Sequence, residues 1–400
     1  MRCLLQSLFV ILAFLVCSCN SKKEQTGEAV AMRYAENISI RRLDGCTVVS
    51  MKNPWRERQV LHSYVLIDRA DSARMAGRSL PEGTVVYTPL RRSVVFNTAH
   101  AQLVSWLGDP SPDPSPIGRG ALVDGIAGVA DLKYMLLPHI HKLVDEGRIA
   151  DCGNSLSPDI ERIVALHADG ILLSPFENSG GYGRLEQIGV PIIECAEYME
   201  TSPLGRAEWM RFYGMLYGKE READSLFAVV EKEYQGLKEL TAHPSLLKSL
   251  PSGRLGGGLP MLLTEKLTGS TWYVPGGKST VAQLIADAGA SYAWSSDEHS
   301  GSIALSYETV VSKAGDADVW IFNNYGAEPT YESLAAEYHG YRIIKAYKEH
   351  RVWYVNSMVV PYFEEVSFRP DRLLRDYIIM LHPGLLQGRT RYYRELGVRS

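Results

Sequence analysis

One short pattern occurs twice in this chain, about 150 residues apart, with a long amphipathic stretch between the copies. The first copy, Ser157-Pro-Asp-Ile-Glu-Arg-Ile-Val-Ala-Leu-His-Ala-Asp-Gly170, leads into Ile171-Leu-Leu173. The second, Ser306-Tyr-Glu-Thr-Val-Val-Ser-Lys-Ala-Gly-Asp-Ala-Asp318, leads into Val319-Trp-Ile-Phe322. Each predicts a serine-capped helix, a small polar turn and a short buried strand. Past each strand comes a Gly/Asn/Pro-rich loop holding one acid, Glu177 or Glu328. From Lys219 to Thr241 the apolar residues Ala223, Leu226, Phe227, Val230, Tyr234 and Leu237 share one face of a 3.6-residue period. At 1.5 Å per residue that helix is roughly 35 Å long, about the width of a domain. The fold class this predicts is α/β: two lobes, each a mostly parallel sheet with flanking helices, bridged by one long helix and separated by a cleft. A helix packed within a single domain would satisfy the same periodicity.

The formal net charge of −4 lacks the strongly basic face that nucleic acid requires, so no nucleic-acid partner is expected. The first 18 residues stand apart. Arg2 is followed by the apolar run Leu8–Val16, too short for the roughly 20 residues of a spanning helix, so residues 1–18 read as a signal peptide. The run ends in Val16-Cys-Ser-Cys19, which resembles the bacterial lipobox. That resemblance implies cleavage before Cys19, its acylation, and a periplasm-facing protein anchored to a bacterial membrane by lipid. A plain secretory signal is the alternative. Residues 19–29 form a polar tether. Cys46, Cys152 and Cys195 fit no zinc spacing and are expected as small buried side chains, although any one pair could form a disulfide.

Residues 30–88 predict an antiparallel extension, with a turn at Leu43-Asp-Gly45. Residues 89–202 form the first lobe: a strand at Arg91–Phe96, an exit loop at Asn97–His100, and a helix from Ala101 to Leu107. Four prolines between Asp109 and Pro116 mark an exposed connection. Residues 203–242 make the bridging region and 243–400 the second lobe. There Met261–Thr264 is a strand, Trp272–Gly277 a loop, Val281–Ala288 a helix and Arg351–Val355 a strand. The closing helix buries Leu373, Leu374, Tyr377, Ile378 and Leu381.

Catalytic signatures are missing. No Gly-x-Ser-x-Gly elbow or His-Glu-x-x-His helix occurs. Gly277-Lys-Ser279 fails as a phosphate loop because Trp272 stands where a glycine is required. His139 and His141, near Asp145 and Glu146, diverge on a helix and read as a solvated surface. His100, on its exit loop, is the better ligand candidate, though a structural histidine fits equally. Aromatic residues crowd the predicted loops: Phe176, Tyr182, Trp272, Tyr273, Tyr325, Tyr362 and Phe363. Rings beside Gly and Pro at the carboxyl ends of strands suggest a surface for a flat or greasy ligand. Arg91, Arg92, Arg342 and Arg369 could meet an anionic one.

The copied segment, with Trp272-Tyr-Val-Pro-Gly-Gly-Lys-Ser279, Leu284–Gly289, Ala317-Asp-Val-Trp320 and Arg369-Pro-Asp-Arg-Leu-Leu374, resembles the periplasmic substrate-binding proteins of ABC importers for cobalamin, haem and ferric siderophores. The resemblance covers about residues 90 to 385. It implies a monomer that is not an enzyme, has no intrinsic cofactor, and holds a metal chelate or corrinoid unchanged between its lobes. Asn97, His100, Phe176, Tyr182, Trp272, Tyr273, Asn323, Tyr325 and Tyr362 are then the expected ligand contacts. The implied partners are an ABC permease and its ATPase, docked through Glu177 and Glu328, with Glu186 and Glu332 as fallbacks. A receptor for a bare divalent metal and an enzyme on the same lobes are the competing readings. The first would need about four converging His, Asp or Glu side chains.

Overall fold

A computed structural model describes residues 27–56, 58–108, 125–177, 181–243 and 258–397. The leader, Cys19, the proline run at 109–116 and most of the 251–260 linker lie outside these residues.

The extension is a five-stranded sheet. Strands Glu28–Val30, Ile38–Leu43, Cys46–Lys52 and Val60–Asp68 run antiparallel, and Thr84–Thr88 adds parallel to the last. Leu43 pairs with Cys46, so Asp44-Gly45 alone closes the hairpin, with Gly45 at φ +84°. Asp-Gly is the pair that such a tight turn selects. The sheet packs on the first lobe through Tyr64, whose hydroxyl donates to Ile192 O (3.1 Å) and accepts from Glu194 N–H (2.8 Å). Those contacts cover an edge strand that would otherwise be open to pairing.

The first lobe is a parallel sheet ordered Ile192–Glu194, Gly170–Leu173, Ser93–Val95, Ile126–Val129, Ala150–Asp151. The second orders Leu262–Thr264, Val319–Asn324 and Val352–Asn356 in parallel, with Arg394–Glu395 antiparallel at its edge. A separate antiparallel ribbon comprises Leu267–Thr268, Thr271–Pro275 and Ser302–Leu305. The two parallel sheets are distinct, as two lobes require.

Helix Glu220–Thr241 spans 22 residues and buries Ala223, Leu226, Phe227, Val230 and Tyr234, as its period predicts. It begins just after Gly218, beside Pro89 of the first lobe. It ends against the second lobe, where Tyr234 Oη and Lys238 Nζ meet Asp287 (2.7 and 3.0 Å) and Thr241 Oγ1 donates to Asp287 O (2.7 Å). Helices Met210–Tyr217 and Pro370–Leu381 pack along it, and all five residues of the predicted closing stripe are buried.

Local expectations shift in three places. Asn97 caps a helix that starts at Thr98, three residues before the expected Ala101, so its exit loop is short. Ser157 and Pro158 pair with Asn154 and Gly153, which holds them extended and leaves Asp159 to cap helix Ile160–Ala165. Ser306 does cap its helix. Trp272–Pro275 is strand rather than loop, and that alternation decides which aromatic faces the cleft. The three cysteines are free and buried. His139 and His141 are tied into the fold by Ser105 Oγ and Met135 O, both at 2.8 Å.

Candidate functional site

A cavity of about 700 Å³ opens between the lobes. That falls within the roughly 300–1,000 Å³ typical of small-molecule sites. The first lobe contributes Phe96–Ala99, Asp131, Tyr134 and Met135, and the base of the bridging region contributes Pro203 and Arg206. The second contributes Glu265, Lys266, Tyr273, Asn323, Tyr325, Tyr362 and Phe363 among others.

Five expected contacts line this cavity: Asn97, Tyr273, Asn323, Tyr325 and Tyr362. Asn97 Oδ1 accepts the Ala99 N–H (2.8 Å) and its amide donates to Ser174 Oγ (3.1 Å), so capping fixes its orientation. Asn323 Nδ2 donates to Tyr325 Oη (3.2 Å), while its own Oδ1 is buried with no partner among the described residues. Tyr325 is 67% exposed at the mouth. Tyr362 is held by ring contacts with Phe363, Tyr392 and Tyr393. Burial pushes its hydroxyl up to about 12, so it stays neutral.

The other four lie elsewhere. His100 is fully buried on helix Thr98–Leu107, where Nε2 meets Glu197 Oε1 at 3.0 Å. The earlier helix start turns its ring inward. Trp272 is fully buried, donating from Nε1 to Thr264 O (2.9 Å) and packing on Trp320 and Tyr341. In its strand Tyr273 takes the outward direction instead. Tyr182 borders a groove between extension and first lobe, donating to Glu194 Oε1 at 2.6 Å. Phe176 is 53% exposed and is absent from the cavity wall. The candidate arginines are also elsewhere: Arg369 chelates Asp371 in the core, Arg92 Nε donates to Leu166 O, and Arg91 and Arg342 are exposed.

Sequence reasoning missed Arg206, Glu265, Asp131 and Tyr134. Arg206 lies on helix Pro203–Glu208, capped by Ser202, with buried Leu204, Ala207 and Met210 around it. A lone cation among core positions is the signal that could have found it. Burial lowers its pKa. Burial raises the Glu265 carboxyl from its ordinary value. Glu265 and Asp131, one from each lobe, adopt left-handed backbone at φ 62° and 54°. That conformation is uncommon outside glycine and concentrates at functional sites. Asp131 is tied to Ser155 N–H and its hydroxyl.

Of the docking acids, Glu177 is exposed after strand Gly170–Leu173 and Glu328 is exposed after Val319–Asn324. Glu328 pairs with Arg394 at 2.8 Å. Glu186 accepts the Tyr182 N–H (2.7 Å), and Glu332 opens helix Tyr331–Glu337. Among the described residues no three His, Cys, Asp or Glu side chains gather as a metal cluster, and no helix is long and apolar enough to cross a membrane.

Residues 133–358, more than half of the chain, match the family model described as periplasmic binding protein, and the chain belongs to that family. An uncharacterized lipoprotein of Methanocaldococcus jannaschii is 28% identical over 313 residues, covering 77% of this chain and 69% of the relative. Among solved structures, a periplasmic heme-binding protein from Pseudomonas aeruginosa aligns with TM-score 0.54 at 16% identity, over 78% of this chain and 99% of its own. An ABC-type Fe3+-hydroxamate transport protein from Saccharomonospora viridis aligns at 0.52 and 15%, over 74% and 94%. At such identities the likeness establishes the two-lobed fold.

Proposed function

We propose that this periplasmic binding protein of the ABC-transporter type captures a metal chelate, a ferric siderophore or haem, or else a corrinoid, and releases it unchanged to its permease. The observation that carries the reading is the cavity of about 700 Å³ with tyrosines from both lobes on its walls. Such rings offer broad apolar faces with polar tips, suited to a macrocycle or a chelate shell. Tyr273, Tyr325, Tyr362 and Tyr134 contact the ligand's faces, and Asn323, whose buried Oδ1 has no partner among the described residues, gives a directional contact. The bridging helix, packed along its length, allows only modest closure, so the cleft is largely formed before ligand arrives. The absence of a three-ligand cluster among the described residues supports a chelate over a bare ion.

Anchoring through an acylated Cys19 is part of the proposal, supported by Val16-Cys-Ser-Cys19 and by a relative named as a lipoprotein. So is docking on the permease and its ATPase through Glu177 and Glu328. The test is titration of the purified protein with haem, ferric siderophores and cobalamin, followed by ligand absorbance and tryptophan quenching. Saturable one-to-one binding of at least one is expected. Flat curves for all would remove the proposed cargo.

A further inference from the structure

Beneath the cleft, Arg206 stands near a carboxylate that bonds other groups. His100 Nε2 meets Glu197 Oε1 at 3.0 Å, and the Tyr213 hydroxyl reaches Glu197 Oε2 at 3.5 Å. Both carboxylate oxygens are thereby committed. Arg206 shares the field of Glu197, but its guanidinium makes no ion pair or hydrogen bond with any described residue, and its Nε is buried without a partner among them. Glu197 is thus bonded to His100 and Tyr213, and the Arg206 guanidinium is left without a bonded anion.

The acids on the cavity walls do not close that gap. Asp131 is held by Ser155, and Glu265 accepts from Asn323 N–H at 3.4 Å. Neither forms an ion pair with Arg206. The phenol beside them, Tyr362, is neutral. A half-buried guanidinium with no bonded anion is costly unless something else supplies the charge. Its rigid fork matches a carboxylate in two parallel hydrogen bonds. Arg206 itself borders the cavity.

We infer that Arg206 is the anchor for a carboxylate carried by the ligand, so that the cargo is a carboxylate-bearing iron chelate rather than one without such a group. The inference rests on the chelate-binding reading above. Two sources share this chemistry: the propionates of haem and the free carboxylates of a citrate-type ferric complex. Cobalamin and ferrioxamine offer no such group.

The experiment compares haem with haem dimethyl ester, and ferric citrate with ferrioxamine B, on the full-length protein and on Arg206→Gln and Arg206→Lys. The expected result is tighter binding of the acid than of the ester, or of ferric citrate than of ferrioxamine. Arg206→Gln should cost that carboxylate ligand about 10- to 100-fold and leave the carboxylate-free one within about twofold. The arm that shows the preference identifies the source. Arg206→Lys keeps the charge but loses the fork, and should fall between. Because no hydrogen bond or close ion pair of the guanidinium is lost, the ligand-free protein should stay folded in Arg206→Gln, with a melting temperature close to that of the parent. Equal affinity for acid and ester and for the two ferric complexes, or discrimination that survives in Arg206→Gln, overturns the inference while leaving chelate binding intact. Failure of every chelate to bind overturns both.

Discussion

Removing one buried carboxylate should detach the N-terminal extension from the base of the bridge. Glu208 is fully buried and accepts three consecutive backbone N–H groups: Arg33 at 2.9, Tyr34 at 2.8 and Ala35 at 2.9 Å. The chain approaches so closely there that a Cβ on Gly205 would lie 2.7 Å from Tyr34 O. A hydrogen bond to a charged group is worth roughly 1.5–3 kcal/mol, and burying a donor unpaired costs about 1–3. The Ala35 bond is buried, whereas those of Arg33 and Tyr34 are part-buried and can regain water. Glu208→Ala should therefore cost about 3–5 kcal/mol, well below three full bonds. The cost is read from urea unfolding by circular dichroism, and its location from hydrogen exchange. Amides 33–35 should lose protection while those of Gly170–Leu173 keep theirs. A cost under about 1 kcal/mol with protection at 33–35 unchanged would refute the argument, since the carboxylate would then not be what holds this segment.

Three further outcomes are expected. Burial pushes the Asp376 carboxyl up to about 6 from an ordinary 3.8, despite N–H donation from Arg391, Tyr392 and Tyr393. The native state holds this proton more tightly than the unfolded chain, so the linked stability is full below pH about 4 and is lost as pH rises through about 6. Relative to Asp376→Asn, the parent should lose roughly 2–3 kcal/mol between pH 4 and 7; parallel stability profiles would exclude this. In a transport assay, Glu177→Arg with Glu328→Arg should cut uptake at least about tenfold and leave ligand affinity within about twofold. Arg394→Ala, which breaks only the weak exposed pair with Glu328, should leave uptake intact. Unchanged uptake in the double reversal would reject these two acids as the docking pair.

Periodicity was legible wherever one face of an element meets the core. The stripes Ala223–Tyr234 and Leu373–Leu381 and the turn at Asp44-Gly45 all occur as their patterns require. The site was legible only in part. Asn323 and Tyr325 follow a central strand directly, so strand direction alone carries them to the cleft. Trp272 and His100 depended on a register and a cap. One residue of strand alternation separates Trp272 in the core from Tyr273 at the cleft, and Asn97 rather than His100 ended the loop.

The sequence by itself determined two α/β halves and a long helix, because repeated patterns and 3.6-residue spacing are local properties that survive without knowledge of neighbours. Only the tertiary structure decided that the Arg206 guanidinium borders the cavity without a partner among the described residues while Glu197 serves His100, and that Glu208 ties the extension to the bridge. These relations join residues up to 175 positions apart, and a charge is balanced or left bare by what folding brings within a few ångströms of it.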